Sequence, residues 1–374
     1  MIEQVMLKRV IYITWLSVAL CFCWPVSANT SRNQIIVFRF FQIFTIISSC
    51  LGSLPMFHSI YLHQDDIVIV AKSISIMVVL IQLIVQTTIC AIKHDTLQHI
   101  IEEMITYMKE AKQYEKKIIQ KYVSKCYILY GSAIIISYLT TTIFILGPIF
   151  LPISLPFYTE FPLSLNNTAV YIIIYFHQCF FAYQCSATVC LSIFGALLLW
   201  FVVIKFECLI MKIQNISNKD MMVICIKKQL QIRRYAKEIA NCFRHIIFYT
   251  IIATSFNMIL AGIILIMNPL LVIKIQFMIT CFTALIEVYL YAWPAQYMDD
   301  MSKNVSISAY NLKWYEQTSE MQQNILIMLI FQKPISLSIN FLMPKLSLRS
   351  YCAYLSNAFS IFTALRVILK DNSI

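Results

Sequence analysis

The side chains best suited to chemistry in this 374-residue sequence lie between His94 and Glu103. His94 and His99 stand close to Glu102 and Glu103, and imidazole and carboxylate groups together are common zinc ligands. Residues five positions apart point in different directions on a helix, so the two histidines are not expected to face one ion. We therefore predict solvated polar side chains here and no metal site.

No other segment has the spacing of a catalytic or cofactor-binding motif. The sequence lacks a glycine-rich phosphate loop, a nucleophile elbow and an HExxH pair. Only five glycines occur in the whole chain, which leaves little room for a nucleotide cradle. The sequence therefore predicts neither an enzyme nor a bound cofactor.

Ionisable residues inside long apolar runs, among them Glu287 and His177, are costly there, and a functional role is a reasonable hypothesis. Glu287 lies toward one end of its run, and we expect it to pair with a basic residue at the cytoplasmic side. A place on an ion path is the alternative. For His177, a packing role and a role as a donor to a ligand both remain open.

Several apolar runs also contain aromatic, sulfur and small polar side chains that could enclose a small, mostly hydrophobic ligand. Such sites combine apolar walls with a few hydroxyl and amide groups. Core packing alone would produce a similar set, so the composition permits a site without requiring one. The candidate ligand-binding residues are Met77, Gln82, Tyr138, Thr141, Tyr175, Cys179 and Tyr183.

The elements that position these residues are predicted to be membrane-spanning helices. The chain is 60% hydrophobic and 13% charged, whereas soluble domains are about 25% charged. Its mean hydropathy is +0.74, and the apolar runs are too long for barrel strands. We predict an all-α membrane protein with seven spans, at about 40–57, 67–92, 127–150, 170–204, 246–268, 272–295 and 346–369.

Two shorter apolar runs require separate interpretation. The run from Val10 to Trp24 has features of a signal peptide, but an amphipathic helix lying at the cytoplasmic face is the favoured interpretation. The run from Ile325 to Phe331 is too short to span and precedes Pro334, which favours a buried helix outside the bilayer. Helical periodicity in 93–125 and 221–244 predicts a packed helical layer on the cytoplasmic side.

The distribution of charge predicts the orientation in the membrane. The segments after the second and fourth spans are rich in lysine and arginine, whereas those after the first and third spans contain none. By the positive-inside rule the N-terminus is cytoplasmic and the C-terminus extracellular, which is opposite to a G-protein-coupled receptor. The formal charge of +11 is thus explained by membrane topology, and no nucleic-acid partner is expected.

The segment 302–370 resembles the C-terminal region of the insect odorant receptors. The resemblance rests on Ala309-Tyr310, Trp314-Tyr315 and Lys333-Pro334, and on the run from Phe359 to Leu365. Trp24-Pro25 is similar to a Gly-x-Trp-Pro element of that family, with Cys21 or Phe22 in place of glycine. The related gustatory receptors would end in a Thr-Tyr…Gln-Phe motif, which is missing here, so they are the second choice.

This resemblance implies an odorant-gated, non-selective cation channel in the plasma membrane of sensory neurons. It implies a heterotetramer of a divergent odorant-binding subunit, which this chain resembles, and a common co-receptor. The last helices of the four subunits would line the pore. The pore residues implied are Ile361, Leu365, Ile368 and Leu369. Membrane lipid and a small volatile ligand are the other partners expected.

The prediction divides the chain into four parts. These are a cytoplasmic N-terminal segment (1–39), transmembrane helices one to six with cytoplasmic extensions (40–302), a cytoplasmic anchor segment (303–345), and the pore-lining last helix with the extracellular C-terminus (346–374). A receptor that signals to an intracellular partner through 205–245 is a competing hypothesis. A transporter is disfavoured because the sequence shows no internal repeat.

Overall fold

The computed structural model describes residues 2–27, 30–150, 155–157, 159, 161, 167–216, 218–267, 271–330, 337 and 345–371. These residues form α-helices joined by turns and short loops, and no β-strand occurs among them. The helices are α1 (Ile2–Val18), α2 (Arg32–Leu62), α3 (Ile67–Ile92), α4 (His94–Glu110), α5 (Gln113–Ile145), α6 (Gly147–Phe150), α7 (Thr168–Gln214), α8 (Lys219–Ile266), α9 (Leu271–Tyr310), α10 (Ser319–Ile330) and α11 (Leu348–Asp371).

Six helices in the described part of the chain are long and apolar enough to cross a membrane: α2, α3, α5, α7, α8 and α9. They coincide with the first six predicted spans. The seventh predicted span corresponds to α11, a 24-residue helix that packs against α8 and α9. The chain is therefore a multi-pass, all-α membrane protein, as the apolar runs predicted.

Polar residues define where the spanning helices begin. The Asp66 carboxylate accepts hydrogen bonds from the backbone N–H groups of Val68 (2.9 Å) and Ile69 (3.2 Å) at the start of α3. The Asn167 side chain accepts one from the Ala169 N–H (3.0 Å) at the start of α7. Such caps satisfy N–H groups that have no partner within the helix, so short polar segments are sufficient to separate the apolar helices.

The 47-residue helix α7 is the centre of the bundle. In its most apolar stretch 89% of the residues are buried, against 22% for α5. Gly195 on α7 allows α8 and α9 to approach closely. A Cβ atom at this position would lie 2.6 Å from the Tyr291 ring and 2.9 Å from the Phe243 ring. The core therefore requires glycine at this point.

The helices α5, α7, α8 and α9 extend beyond their predicted spans. Together with α4 and α10, these extensions form a layer that we call the polar layer. In α10, Met321, Ile325 and Met328 are buried, and the helix packs against α8 and α9. Two predicted domain boundaries fall inside helices, because α2 continues through position 39 and α9 continues through position 302. The end of an apolar run marks the end of the lipid-facing residues. It does not mark the end of the helix, because a helix can continue into a polar layer without interruption.

The N-terminal segment is helical, as predicted, but it is packed into the bundle by hydrogen bonds from several helices. The carbonyl groups at the end of α1 and in the following turn accept from side chains of α5, α7 and α2. The donors are Tyr138 Oη to the Ser17 carbonyl (2.6 Å), Gln184 Nε2 to Leu20 (3.3 Å) and Gln42 Nε2 to Phe22 (2.8 Å). The last carbonyls of a helix lack hydrogen-bond partners within it. These three side chains supply the missing donors and hold the end of α1 in the bundle.

Candidate functional site

Two of the predicted ligand-binding tyrosines meet between α5 and α7. The rings of Tyr138 and Tyr183 are stacked with centroids 6.3 Å apart. Beside them, the Thr141 and Ser186 hydroxyl groups form a hydrogen bond, and Thr142 Oγ1 lies 3.2 Å from the Tyr183 hydroxyl. We call these five residues the tyrosine cluster. It combines apolar ring faces with several hydroxyl groups, as a site for a small hydrophobic molecule requires.

Tyr175 and Cys179 extend this cluster toward the start of α7. They precede Tyr183 at four-residue intervals, so the three side chains follow one face of the helix. The Tyr175 hydroxyl donates to the Ile145 carbonyl at the end of α5 (2.8 Å), and Cys179 is half-buried. Five of the seven predicted residues therefore lie on α5 and α7 along one interface: Tyr138, Thr141, Tyr175, Cys179 and Tyr183.

The described part of the loop before α7 is held against that helix by Gln178. Its Oε1 accepts from the Phe157 N–H (3.1 Å), and its Nε2 donates to Thr159 Oγ1 (2.8 Å). The Phe157 ring stacks on Phe181 with centroids 5.3 Å apart. On the α2 side, His177 Nε2 lies 3.0 Å from Ser48 Oγ. His177 thus has a hydrogen-bond partner on α2.

Gln82 belongs to a different polar group. Its Nε2 donates to Glu287 Oε1 (2.8 Å), which also lies 3.4 Å from Ser192 Oγ. Glu287 is buried at 4% exposure. The expected pairing of Glu287 with a cytoplasmic base is therefore wrong: in the described part of the chain its partners are an amide and a hydroxyl. A buried polar group needs a hydrogen-bond partner, and neutral donors on α3 and α7 supply it.

Met77 is half-buried on α3. Within the described residues, no hydrogen bond joins Met77 or Gln82 to the tyrosine cluster. The seven predicted ligand-binding residues therefore do not form one group in the structure. Five lie at the α5–α7 interface, whereas Met77 and Gln82 lie on α3, where Gln82 is bonded to Glu287 of α9. The prediction also missed the Ser17 carbonyl, which the Tyr138 hydroxyl contacts. A backbone carbonyl has no residue-type signal, so sequence reasoning could not have found it.

The predicted pore helix α11 lies at the edge of the bundle. Phe362 packs over Gly262 of α8, where a Cβ atom would lie 3.2 Å from the ring. The Tyr354 hydroxyl lies 3.2 Å from Met258 Sδ. Ile361 is 39% exposed and Leu365 is half-buried, whereas the side chains of Ile368 and Leu369 lie outside the described residues. In the described part of α11, Phe359, Ile361 and Val367 are thus exposed apolar side chains.

A cavity of about 740 Å³ lies in the polar layer, between α4, α7 and α8. Its charged walls are largely paired: Lys205 Nζ contacts Glu103 (2.5 Å), and Arg234 contacts Glu238 (2.9 Å). Burial raises the pKa of the Tyr107 phenol on the α4 side of this cavity. We interpret the cavity as a water-accessible cleft of the polar layer.

The two histidines considered as metal ligands have separate partners. His94 Nε2 accepts from the Val26 N–H (3.3 Å), whereas His99 lies 3.8 Å from Glu238. The described residues contain no group of three or more histidine, cysteine or acidic side chains that could hold a metal ion.

Three comparisons with known proteins describe what this chain is similar to. Residues 66–359 match a family model described as "7tm Odorant receptor". Odorant receptor 10 of Aedes albopictus is 23% identical over 157 residues, which is 40% of this chain and 40% of that relative. The chain thus matches less than half of the length of this curated relative.

Solved structures show the same fold over nearly the whole chain. The olfactory receptor OR5 of Machilis hrabei in complex with eugenol superposes with a TM-score of 0.82 at 14% identity, covering 98% of this chain and 100% of that one. A second structure of the same receptor gives a TM-score of 0.83 at 13% identity, covering 97% and 99%.

Proposed function

Because this chain belongs to the odorant receptor family, we propose that it is the odorant-binding subunit of a ligand-gated, non-selective cation channel. The observation that supports this most directly is the matched segment itself. It contains the whole tyrosine cluster and the first half of α11, and the proposed pore residues follow it in the second half of that helix. The fold shared with a receptor solved with eugenol is consistent with a small-molecule ligand.

The proposed odorant site is the tyrosine cluster with Tyr175 and Cys179. Met77 and Gln82, the two sequence-predicted residues on α3, are not part of this proposed site. The cluster has aromatic faces for apolar contact and hydroxyl groups that can accept or donate one hydrogen bond. It contains no paired nucleophile and base. The ligand is therefore expected to be a small hydrophobic volatile that binds reversibly.

The proposed pore is built by α11 from several subunits. Apolar constrictions close a channel by excluding water, so the closed state needs no charged plug. We propose Ile361, Leu365, Ile368 and Leu369 as the face of α11 that forms this constriction. The other subunits include a common co-receptor, and the assembly is placed in the plasma membrane of sensory neurons.

Co-expression with an odorant co-receptor in oocytes tests this function. Volatiles applied one at a time should evoke inward, cation-carried current, and oocytes with either subunit alone should give little or none. Surface labelling of the tagged chain is the control for expression. If the complex reaches the surface and no panel of volatiles evokes current, the proposed function is wrong.

The same preparation separates the competing hypothesis of a receptor coupled to an intracellular partner. A channel should still open in an excised patch that is washed free of nucleotides. A receptor that signals through 205–245 should lose its response on excision. A gustatory-type channel, the second alternative, loses support because the matching family model is that of the odorant receptors.

A further inference from the structure

A second, separate cavity lies beneath α1. Its volume is about 80 Å³, and its walls come from α1, α4, α5 and α7. We call it the α1 cavity. The wall residues used below are Ile11 and Thr14 of α1, Val123 and Tyr127 of α5, and Trp200 of α7. The tyrosine cluster contributes none of its residues to this cavity, so the two are different sites.

Three polar side chains in its walls are already hydrogen-bonded within the protein. Thr14 Oγ1 donates to the Val10 carbonyl (2.9 Å), and Trp200 Nε1 donates to the Tyr130 hydroxyl (2.9 Å). The Tyr122 hydroxyl donates to Glu207. A polar ligand would gain few new hydrogen bonds here and would lose those it makes with water. The α1 cavity therefore favours an apolar occupant.

The size of the α1 cavity favours a narrow occupant. An apolar cavity of about 150 Å³ holds one benzene molecule, and this one has about half that volume. A short stretch of an unbranched alkyl chain fits such a space, whereas a ring with substituents does not. The cavity is thus a poor site for most aromatic volatiles.

The cavity opens between α1 and α5, where apolar side chains are exposed. Tyr127 at the opening is 51% exposed, and Ile11 and Val123 are half-buried. The next residues along the two helices, Tyr12 and Ile128, are apolar and exposed. In a multi-pass membrane protein such a surface contacts acyl chains, so a lipid chain can enter from the side.

Two basic residues precede the cavity walls along the same two helices, toward the predicted cytoplasmic side. Lys8 is exposed and precedes Ile11 by three residues, so the two are neighbours on α1. Lys116 precedes Val123 by seven residues on one stripe of α5, about 10 Å along the axis. Bases next to the cytoplasmic leaflet attract its anionic lipids. Their positions place the positive charge one to two helical turns from the apolar space.

We propose that the α1 cavity binds the headgroup-proximal part of one acyl chain of an anionic phospholipid, with Lys8 and Lys116 at its headgroup. The lipid fills the space between α1 and the bundle. It fixes the N-terminal helix against α5 and α7. This site is independent of odorant binding and of the channel function proposed above.

Photocrosslinking of the purified full-length chain in lipid nanodiscs tests the site. The probe is phosphatidylserine with a diazirine on the acyl chain near the glycerol, and phosphatidylcholine with the same chain is the matched probe. Crosslinks should fall on the peptides that contain Ile11 and Val123. Phosphatidylserine should label them roughly tenfold or more above phosphatidylcholine, because two bases face the headgroup.

Two variants separate the cavity from the charge. Val123→Trp fills the cavity and should remove most of the labelling, whereas Ile143→Trp, at an exposed position of the same helix about 30 Å away, should leave it unchanged. Lys8→Gln with Lys116→Gln should abolish the preference for phosphatidylserine while phosphatidylcholine still labels. Equal labelling by the two probes in the native chain would overturn the proposal, and so would unchanged labelling of Val123→Trp. If Val123→Trp does not accumulate, the comparison of probes on the native chain decides alone.

Discussion

Single residues set the distance between the helices at the centre of the bundle. Gly195 lies where the rings of Tyr291 and Phe243 meet α7, and no larger residue fits without moving two buried aromatic side chains. Gly131 on α5 has nothing within 4 Å of the position of a Cβ atom. The sequence shows both as glycines inside apolar helices. Only the packing tells them apart.

Replacing Gly195 by alanine should therefore destabilise the protein by about 1–3 kcal/mol, because overpacking of a tight core forces its neighbours to shift. The measurement is the thermal unfolding midpoint of the detergent-solubilised chain, together with its surface abundance. Gly131→Ala is the matched control. It should be neutral or stabilising by about 0.5–1 kcal/mol, since alanine is the better helix former. Equal losses in both variants would contradict the role given to Gly195.

Truncation of the ligand-site residues should change which odorants activate the receptor complex. Tyr138→Ala, Tyr175→Ala, Cys179→Ala and Tyr183→Ala each remove apolar contact of about 1–3 kcal/mol for ligands that touch them. The measurement is the rank order of a volatile panel, by current, in variants matched for surface expression. Ile135→Ala, on an exposed part of α5, is the control. An unaltered rank order in all four variants would place the odorant site elsewhere.

The buried pair of Gln82 and Glu287 allows a test of whether the hydrogen bond between the two side chains, and not the charge of Glu287, stabilises the protein. Glu287→Leu leaves the Gln82 amide without its acceptor, which should cost about 1–3 kcal/mol. Glu287→Gln keeps an acceptor and should cost less. In the double variant with Gln82→Leu the loss should be smaller than in Glu287→Leu alone, because no buried donor remains unpaired. Additive losses in thermal stability would show that the two side chains act independently.

At the scale of elements, apolar runs predicted the spanning helices well and their ends poorly. The first six spans and α11 were all recognisable, because lipid contact demands about 20 apolar residues. The boundary drawn between 302 and 303 falls inside α9, which continues to Tyr310. The packing of α1 was missed because it depends on backbone carbonyls and on donors far away in sequence. Composition contains no information about such pairs.

The face of α11 that closes the proposed pore also gives a testable expectation. Leu365→Ser or Leu369→Asn should raise the basal current or change ion selectivity, because a polar constriction no longer excludes water. Odorant rank order should be unaffected. The measurement is holding current and reversal potential in oocytes that co-express the co-receptor. Val367, on another side of the helix and 60% exposed, supplies the control variant Val367→Ser. Sensitivity there, with none at Leu365 or Leu369, would mean that another face lines the pore.

For the molecule as a whole, the charge distribution predicts one orientation. Epitope tags at the N-terminus and within 105–120 should be protected in intact cells, whereas a tag after Ile374 should be accessible to antibody. Permeabilised cells, in which all three tags should be labelled, are the control. The physical reason is the concentration of lysine and arginine in the segments after the second and fourth spans. An N-terminal tag labelled in intact cells would invert the topology.

The arrangement of α7 also has a mechanical consequence. This one helix joins the Tyr175 region to the ion pairs of Lys205 with Glu103 and Lys212 with Glu115, and its 47 residues make it about 70 Å long. Over that length, a tilt of roughly 3° about the paired end moves the other end by about 4 Å. A displacement the size of one ligand therefore needs almost no angular change where the helix is anchored. The ion pairs at the anchored end can therefore stay intact while the Tyr175 end shifts, without any break in the helix.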